Sequence, residues 1–315
     1  MTTDPRHGEP DTHELDTHEL DTHEVAVRVA RERGIELRGL AGEGVDFAVY
    51  RAHCATHGEV ALRVPRHRVY SAPYGRVEAG DLVRQEHEIA GLLARQGLPT
   101  APALELITMA DGLVVSLAGY VRHDGLTVSP KEVGAFLAAL HRVEPPSIEL
   151  AYQEPGDFPS FLTTRLVTRH ATLRGFAPDL PELPHPDGMR AVLEAEEGEP
   201  RLLHLDVRRQ NLLGSGGRLT AVVDWSNALV GPVLMELARV AEYARLADNG
   251  IDADGILAGY ADSAELPDLY SRAALLHRLD TVVMLALVFH SVAPDPARAA
   301  DLTARARHLL ERLRG

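Results

Sequence analysis

Several residue types and patterns are nearly absent from this chain, and each scarcity excludes something. Of its 315 residues only Cys54 is cysteine, which excludes an intramolecular disulfide and any zinc or iron–sulfur centre built on several thiolates. That usage suits a reducing, cytoplasmic compartment. Only Lys131 is lysine, and it stands between Pro130 and Glu132. A phosphate loop of the Gly-Lys-Ser/Thr kind is therefore excluded, and a Schiff-base mechanism would have to use Lys131 itself. Long apolar runs are missing too: the longest, Thr281 to Phe289, is too short to span a bilayer and reads as a buried helix. The first residues are acidic rather than basic and then apolar, unlike a secretory signal.

The composition that remains is that of a globular chain, 45% hydrophobic and 25% charged, with enough residues for one large domain or a two-lobed unit. The net charge of −14 is unevenly spread, because residues 1–24 hold eight acids and one base and so carry half of it. The rest is only mildly acidic, which gives no electrostatic case for nucleic-acid binding. Asp11 to Val25 reads DTHELDTHELDTHEV, a five-residue tandem repeat. A step of five residues turns His13, His18 and His23 away from a common helical face, so a metal site is not expected there. The acidic segment 1–24 is expected to stay solvated.

Structure is expected from Val25, with a helix and then strands at Glu36–Leu40, Asp46–Ala52 and Glu59–Val64. A helix over Val77–Arg95 carries Leu82, Ile89, Leu92 and Leu93 on one face, and strands near Leu104–Thr108 and Leu113–Leu117 follow. From about residue 120 the pattern is helical. Val133, Phe136, Leu137 and Leu140 mark one helix, Phe158–Leu173 another, and Met189–Glu197 a short third. A hairpin at Asn211–Leu213 and Leu219–Val223 turns at Gly214–Gly217, and three or four helices complete the chain after Val233. The fold class is α+β: a small five-stranded antiparallel lobe over residues 25–119 and a mainly helical lobe over 120–315, with a cleft near residues 117–124.

Residues 201–225, RLLHLDVRRQNLLGSGGRLTAVVDW, carry the chemistry. Asp206 and Asn211 lie five apart in a loop, and Asp224 ends the strand after the hairpin. Phosphoryl transfer from a nucleotide needs a carboxylate to orient or deprotonate the acceptor hydroxyl and hard oxygen ligands for magnesium. A loop Asp, a following Asn and a second Asp folded back beside it supply that set.

This stretch resembles the aminoglycoside phosphotransferase and choline kinase-like family, in which His-Gly-Asp, four residues, Asn, a hairpin and an apolar pair precede Asp-Trp. His204-Leu205-Asp206, Asn211 and Val222-Val223-Asp224-Trp225 match it, over a resemblance that spans roughly residues 36 to 240 by element order. It implies a protein-kinase-like fold, Asp206 as catalytic base, Asn211 and Asp224 as Mg²⁺ ligands, and His204 as a brace for the loop. Where the family has His and Pro in the loop, this chain has Arg208 and Arg209. Arg208, two after Asp206, stands where protein Ser/Thr kinases carry a lysine that meets the transferred phosphate. Asp-Leu-Ala of the family is echoed by Glu236-Leu237-Ala238.

The first lobe agrees. Gly42 and Gly44 lie between two strands where kinases close backbone amides over phosphates. Arg63 occupies the place of the kinase lysine on the third strand. Its carboxylate partner is expected on the following helix at Glu86, since Glu88 projects about 200° around the axis from it. The activity implied is an O-phosphotransferase that uses ATP or GTP on a hydroxyl of a small molecule, an antibiotic or related natural product foremost. A sugar or amino-alcohol kinase and a non-catalytic binding module are the alternatives. No nucleic acid or membrane partner is expected. Glu194, Glu196, Glu197 and Glu199 read as a solvated face, or as an entrance favouring a cationic acceptor.

Overall fold

The last copy of the tandem repeat starts the first helix. In the computed structural model, which describes residues 19–70, 76–154, 156–196 and 198–314, α1 spans Thr22–Arg33, and the Asp21 side chain accepts from the Glu24 amide at 2.9 Å. Asp-x-x-Glu is the spacing of a capping box, so the helix begins three residues before Val25. Leu20 packs beside Val25, Ala26 and Val29, and Glu19 pairs with Arg66. His13, His18 and the rest of the repeat before Glu19 lie outside the described residues.

Five strands form one antiparallel sheet in the order β1-β2-β3-β7-β6: β1 (Glu36–Glu43), β2 (Phe47–Cys54), β3 (Gly58–Pro65), β6 (Ala103–Thr108) and β7 (Val114–Gly119). Alternation along β2 and β3 sends Ala48, Tyr50, Ala52, Val60, Leu62 and Val64 into a core shared with α1. Phe47, Val49, Ala61 and Arg63 thereby project from the other face. The helix expected from Val77 starts two residues later. Val77–Glu78 (β5) pairs with Val69–Tyr70 (β4), and α2 then runs Ala79–Arg95. Ile89 and Leu93 of α2 join the core of the second lobe, so this helix ties the two lobes together.

The second lobe contains α3 (Pro130–Leu140), α4 (Phe158–Phe176), α5 (Pro186–Glu194), α6 (Val233–Tyr243), α7 (Ala253–Ala261), α8 (Arg272–Leu287) and α9 (Pro296–Arg314). The short helix expected at Met189–Glu197 is shifted forward in α5, where Pro186 takes a first-turn position that needs no amide donor. Helices α3 and α7 cross at backbone distance: a Cβ on Gly134 would lie 2.0 Å from the Ile256 carbonyl oxygen. Two small ladders frame the site. β8 (Arg201–Leu203) pairs with β11 (Leu229–Gly231), and β9 (Leu212–Ser215) pairs with β10 (Arg218–Val222). The apolar run at Thr281 belongs to a longer helical stretch. Arg272–Val292, 21 residues, is long and apolar enough to cross a membrane by length and composition. It is mostly buried in the helical core, where its residues share one cluster with α4, α6 and α9.

Candidate active site

The loop between β8 and β9 bends backbone that other residues hold in place. Leu205 (φ 60°) and Asp224 (φ 68°) are the non-glycine residues with positive φ among those described, a conformation that costs of order 1–3 kcal/mol unless its surroundings impose it. Leu205 stands where the family pattern has glycine, the residue that adopts this φ without strain. Both Glu236 carboxylate oxygens supply the restraint. One accepts from the His204 amide at 2.6 Å and the other from the Leu205 amide at 2.9 Å. Burial would raise the Glu236 pKa, but His141, 3.9 Å away, and the His204 amide hold it below the usual range. His204 completes the frame. Its Nδ1 accepts from the Asp206 amide at 3.0 Å and its Nε2 donates to the Val223 carbonyl at 3.0 Å, so one imidazole links the two acid-bearing segments.

Most of the residues singled out in the sequence converge here. Asn211 Nδ2 donates to Asp206 Oδ2 at 2.7 Å and to the Asp206 carbonyl at 2.9 Å. Arg208 Nε is 3.0 Å from Asp206 Oδ2, and its Nη2 is 3.9 Å from Asp224 Oδ2. Arg63 grips Glu86 through Nε and Nη2, both at 2.8 Å, and Asp224 Oδ1 through Nη2 at 2.8 Å. Glu88 is exposed on α2, away from this pair. Gly42, expected between two strands, lies inside β1 opposite Val49, because the strand runs on to Glu43; Gly44 lies in the turn before β2. A Cβ at Gly42 would meet nothing within 4 Å, and one at Gly44 only the Phe47 carbonyl at 3.8 Å. Neither glycine is therefore required by protein packing.

Three participants escaped the sequence reading. The Phe47 ring lies under the Arg63 guanidinium at 4.0 Å. Ser226 Oγ sits 2.8 Å from Glu86 and 2.5 Å from Asp224, so its single proton serves one carboxylate at a time. Asp46, just before β2, is pushed up to about 6 by burial, with the Asp224 charge adding to the effect. Ser226 was legible only as the second residue after Asp224, and nothing in the sequence marked Asp46.

One guanidinium shared by two carboxylates separates their titrations. Burial pushes Glu86 up to about 8. Asp224 is half-buried, and Arg63, Ser226 and Arg208 hold it far below the usual carboxylate range in spite of that desolvation. A folded pKa above the unfolded value means that the unfolded chain releases its proton first, so stability falls as pH rises from about 4.5 to about 8. In nucleotide-free protein, Glu86→Gln should therefore gain melting temperature relative to wild type across that window. A melting difference that stays flat from pH 5 to pH 8 would place Glu86 in the ordinary carboxylate range.

The arrangement suits a hard divalent cation. Among the described residues no group of three or more His, Cys, Asp or Glu is disposed to hold a metal. The oxygens available to one are instead those of the Asp224 carboxylate and the Asn211 amide, with the Asp206 carboxylate beside them. Four carboxylates (Asp46, Glu86, Asp206 and Asp224) lie around two guanidiniums, Arg63 and Arg208, and the surplus shows in the raised Glu86 and Asp46. Mg²⁺ commonly takes one or two carboxylates and completes its shell with phosphate and water, so the residues present fit it.

The profile of the family described as "Phosphotransferase enzyme family" matches residues 37–276. No curated protein matches the sequence significantly. Among solved structures, a thermostable mutant of aminoglycoside phosphotransferase APH(4)-Ia, in ternary complex with AMP-PNP and hygromycin B, superposes with a TM-score of 0.57 at 16% identity, covering 91% of this chain and 98% of that one. Macrolide 2′-phosphotransferase type I gives 0.53 at 16% identity, covering 91% and 98%. A protein from Haemophilus somnus described as a fructosamine-3-kinase gives 0.62 at 12% identity, covering 92% and 96%. At such identities the likeness speaks for the fold.

Proposed function

The chain belongs to the phosphotransferase enzyme family, and from that premise we propose that it transfers the γ-phosphoryl group of ATP or GTP to a hydroxyl of a small molecule. The observation that carries this reading is the convergence of Asp206, Asn211, Asp224 and the Arg63–Glu86 pair in one cluster. Asn211 and Arg208 both engage Asp206 Oδ2, so Oδ1 is the oxygen that takes the acceptor hydroxyl's proton. The acceptor oxygen then bonds to the γ-phosphorus as the bond to the bridging oxygen breaks, and the nucleoside diphosphate leaves. Asn211 and Asp224 would hold Mg²⁺, which neutralises charge on the transferring phosphoryl group when bound. Arg63, fixed by Glu86 and by the Phe47 ring, grips nucleotide phosphate, and Arg208 faces the transferred group. Gly42 and Gly44 leave room for backbone to approach the phosphates.

An antibiotic or related natural product is the leading acceptor class, for which transfer would mean resistance; hygromycin B in a similar fold points the same way. A sugar-type metabolite is the second reading, favoured by the fructosamine-3-kinase likeness. The intact Asp206, Asn211 and Asp224 speak against a module that only binds. Incubating the protein with labelled ATP or GTP, Mg²⁺ and a panel of hydroxylated antibiotics and metabolites tests the reading: label should enter one acceptor class and depend on Mg²⁺. Arg63→Ala should raise the nucleotide KM by about tenfold or more, and Arg63→Lys less, because lysine offers a point charge instead of a planar fork. Absence of transfer to every acceptor, or unchanged nucleotide handling in Arg63→Ala, counts against it.

A further inference from the structure

A groove of about 1040 Å³ opens between α2, residues 148–154 and α4. Its mouth carries Arg76, Arg84, Asp81, Glu88, Glu149 and Glu154, all exposed and therefore screened by water and salt. Its inner end differs. Arg165 and Arg169, one turn apart on α4, both meet Asp280 of α8: Arg165 through two bonds of 3.0 and 2.6 Å, Arg169 through one of 2.9 Å. A narrow cavity of about 10 Å³ shares Tyr152, Arg165 and Arg169 with the groove and continues to Leu205, Asn227 and Arg239. Leu205 precedes Asp206 and Asn227 follows Asp224 by three residues, so the groove's inner end abuts the backbone of the catalytic segment.

Charge is sorted across that backbone. On the nucleotide side carboxylates outnumber guanidiniums, whereas on the groove side three guanidiniums surround the single carboxylate of Asp280. Arg239 is 5% exposed. It donates to the Tyr243 hydroxyl at 2.9 Å, and its Nε has no hydrogen-bond partner among the described residues. Burial, with Arg169 and Arg239 nearby, pulls Arg165 down to about 10 in spite of Asp280. Buried cations in excess of their counter-ions are costly and bind anions strongly through charge-assisted hydrogen bonds. The glutamates expected to form a solvated face, or an entrance for a cation, are not in this groove: Glu194 and Glu199 are exposed beside Arg190 and Arg201, and Glu196 is bound to His277 at 2.9 Å. Glu197 lies outside the described residues.

We propose that the inner end of this groove holds the anionic group of the acceptor, so that the substrate class is a hydroxylated small molecule bearing a carboxylate or a phosphate. This rests on the phosphotransferase reading and narrows it. Arg165 and Arg169 face the anion from the groove wall, and Arg239 adds its field from behind, between the anion and the catalytic loop.

The test uses the full chain saturated with AMP-PNP and Mg²⁺, so that added anions do not compete for the nucleotide site, at fixed ionic strength. Thermal unfolding is followed with four probes on one carbon skeleton: gluconate, glucose 6-phosphate, glucose and glucosamine. Gluconate or glucose 6-phosphate should stabilise the protein while glucose and glucosamine do not, and the stronger of the two acids identifies carboxylate or phosphate. Arg165→Gln and Arg239→Gln should each weaken that effect about tenfold with AMP-PNP binding unchanged. Asp280→Asn removes the competing carboxylate and should strengthen it, an opposite sign that a merely structural role would not produce. Stabilisation by glucose or glucosamine alone, by none of the four, or equally in wild type and Arg165→Gln overturns the proposal. Failure of the wild type to bind AMP-PNP strikes the phosphotransferase reading instead.

Discussion

Asp206→Asn should lower phosphate transfer by roughly 10²–10⁴-fold, the usual worth of a positioned general base, and leave nucleotide affinity nearly unchanged. The substitution preserves shape. An asparagine oxygen can still accept from Asn211, whose amide now reaches Asp206 Oδ2 at 2.7 Å. What disappears is the atom able to take a proton, together with the charge that holds Arg208 at 3.0 Å. The loss should therefore appear in kcat for the acceptor reaction and not in the Kd of the nucleotide. Turnover near the wild-type rate would remove Asp206 from proton transfer. A comparable fall in nucleotide affinity would show that the carboxylate shapes the nucleotide site instead.

Glu236→Ala should cost about 3–5 kcal/mol of stability, the range seen when one partner of a buried charged network is deleted. The Glu236 residue is fully buried and accepts from two consecutive amides, which would be stranded without it. Those amides belong to His204 and to Leu205, the residue held at positive φ, so the loop should relax and activity fall along with stability. Glu236→Gln is expected to be nearly as harmful. An amide side chain presents one oxygen and one NH₂ group, and the NH₂ would meet a backbone donor. Chemical denaturation of the three proteins measures the effect, and a midpoint for Glu236→Gln indistinguishable from wild type would show that the clamp carries little.

Periodicity made much of this architecture legible. The stretches that became β2 and β3 read as strands, and the leucines of α2 announced a helix. The Asp206–Asn211–Asp224 spacing announced a loop and a hairpin that fold back on each other. Boundaries were harder because they depend on contacts between distant residues. Val77–Glu78 looks helical until Val69–Tyr70 is there to pair with it. Likewise β8 is only a short apolar run until β11 arrives to complete a ladder. In the site, the family resemblance pointed to Arg63 and to a partner on the following helix, and helix periodicity only chose Glu86 over Glu88. Asp46 and Ser226 could not be inferred, since their importance comes from being desolvated beside Asp224. The arginines behind the catalytic loop were invisible for a related reason. Arg165, Arg169 and Arg239 sit on two helices and acquire meaning only when α4, α6 and α8 bring them around one aspartate.

The guanidinium in the cleft also decides which reagents can find this protein. Amine-directed chemistry (acylation, reductive methylation, aldehyde capture) acts on uncharged amines, and the Arg63 guanidinium, kept charged by Glu86 and Asp224, offers none. The one lysine side chain, Lys131, lies on α3, where it is exposed and only 3.6 Å from Asp262. On the proposed reading, nucleotide-shaped probes that tag kinases by acylating a lysine at the phosphates would meet only Arg63 here and leave no mark. The protein would go uncounted in a survey built on that chemistry. Conversely, amine-coupled labels and surface tethers can be attached through Lys131 without touching Arg63.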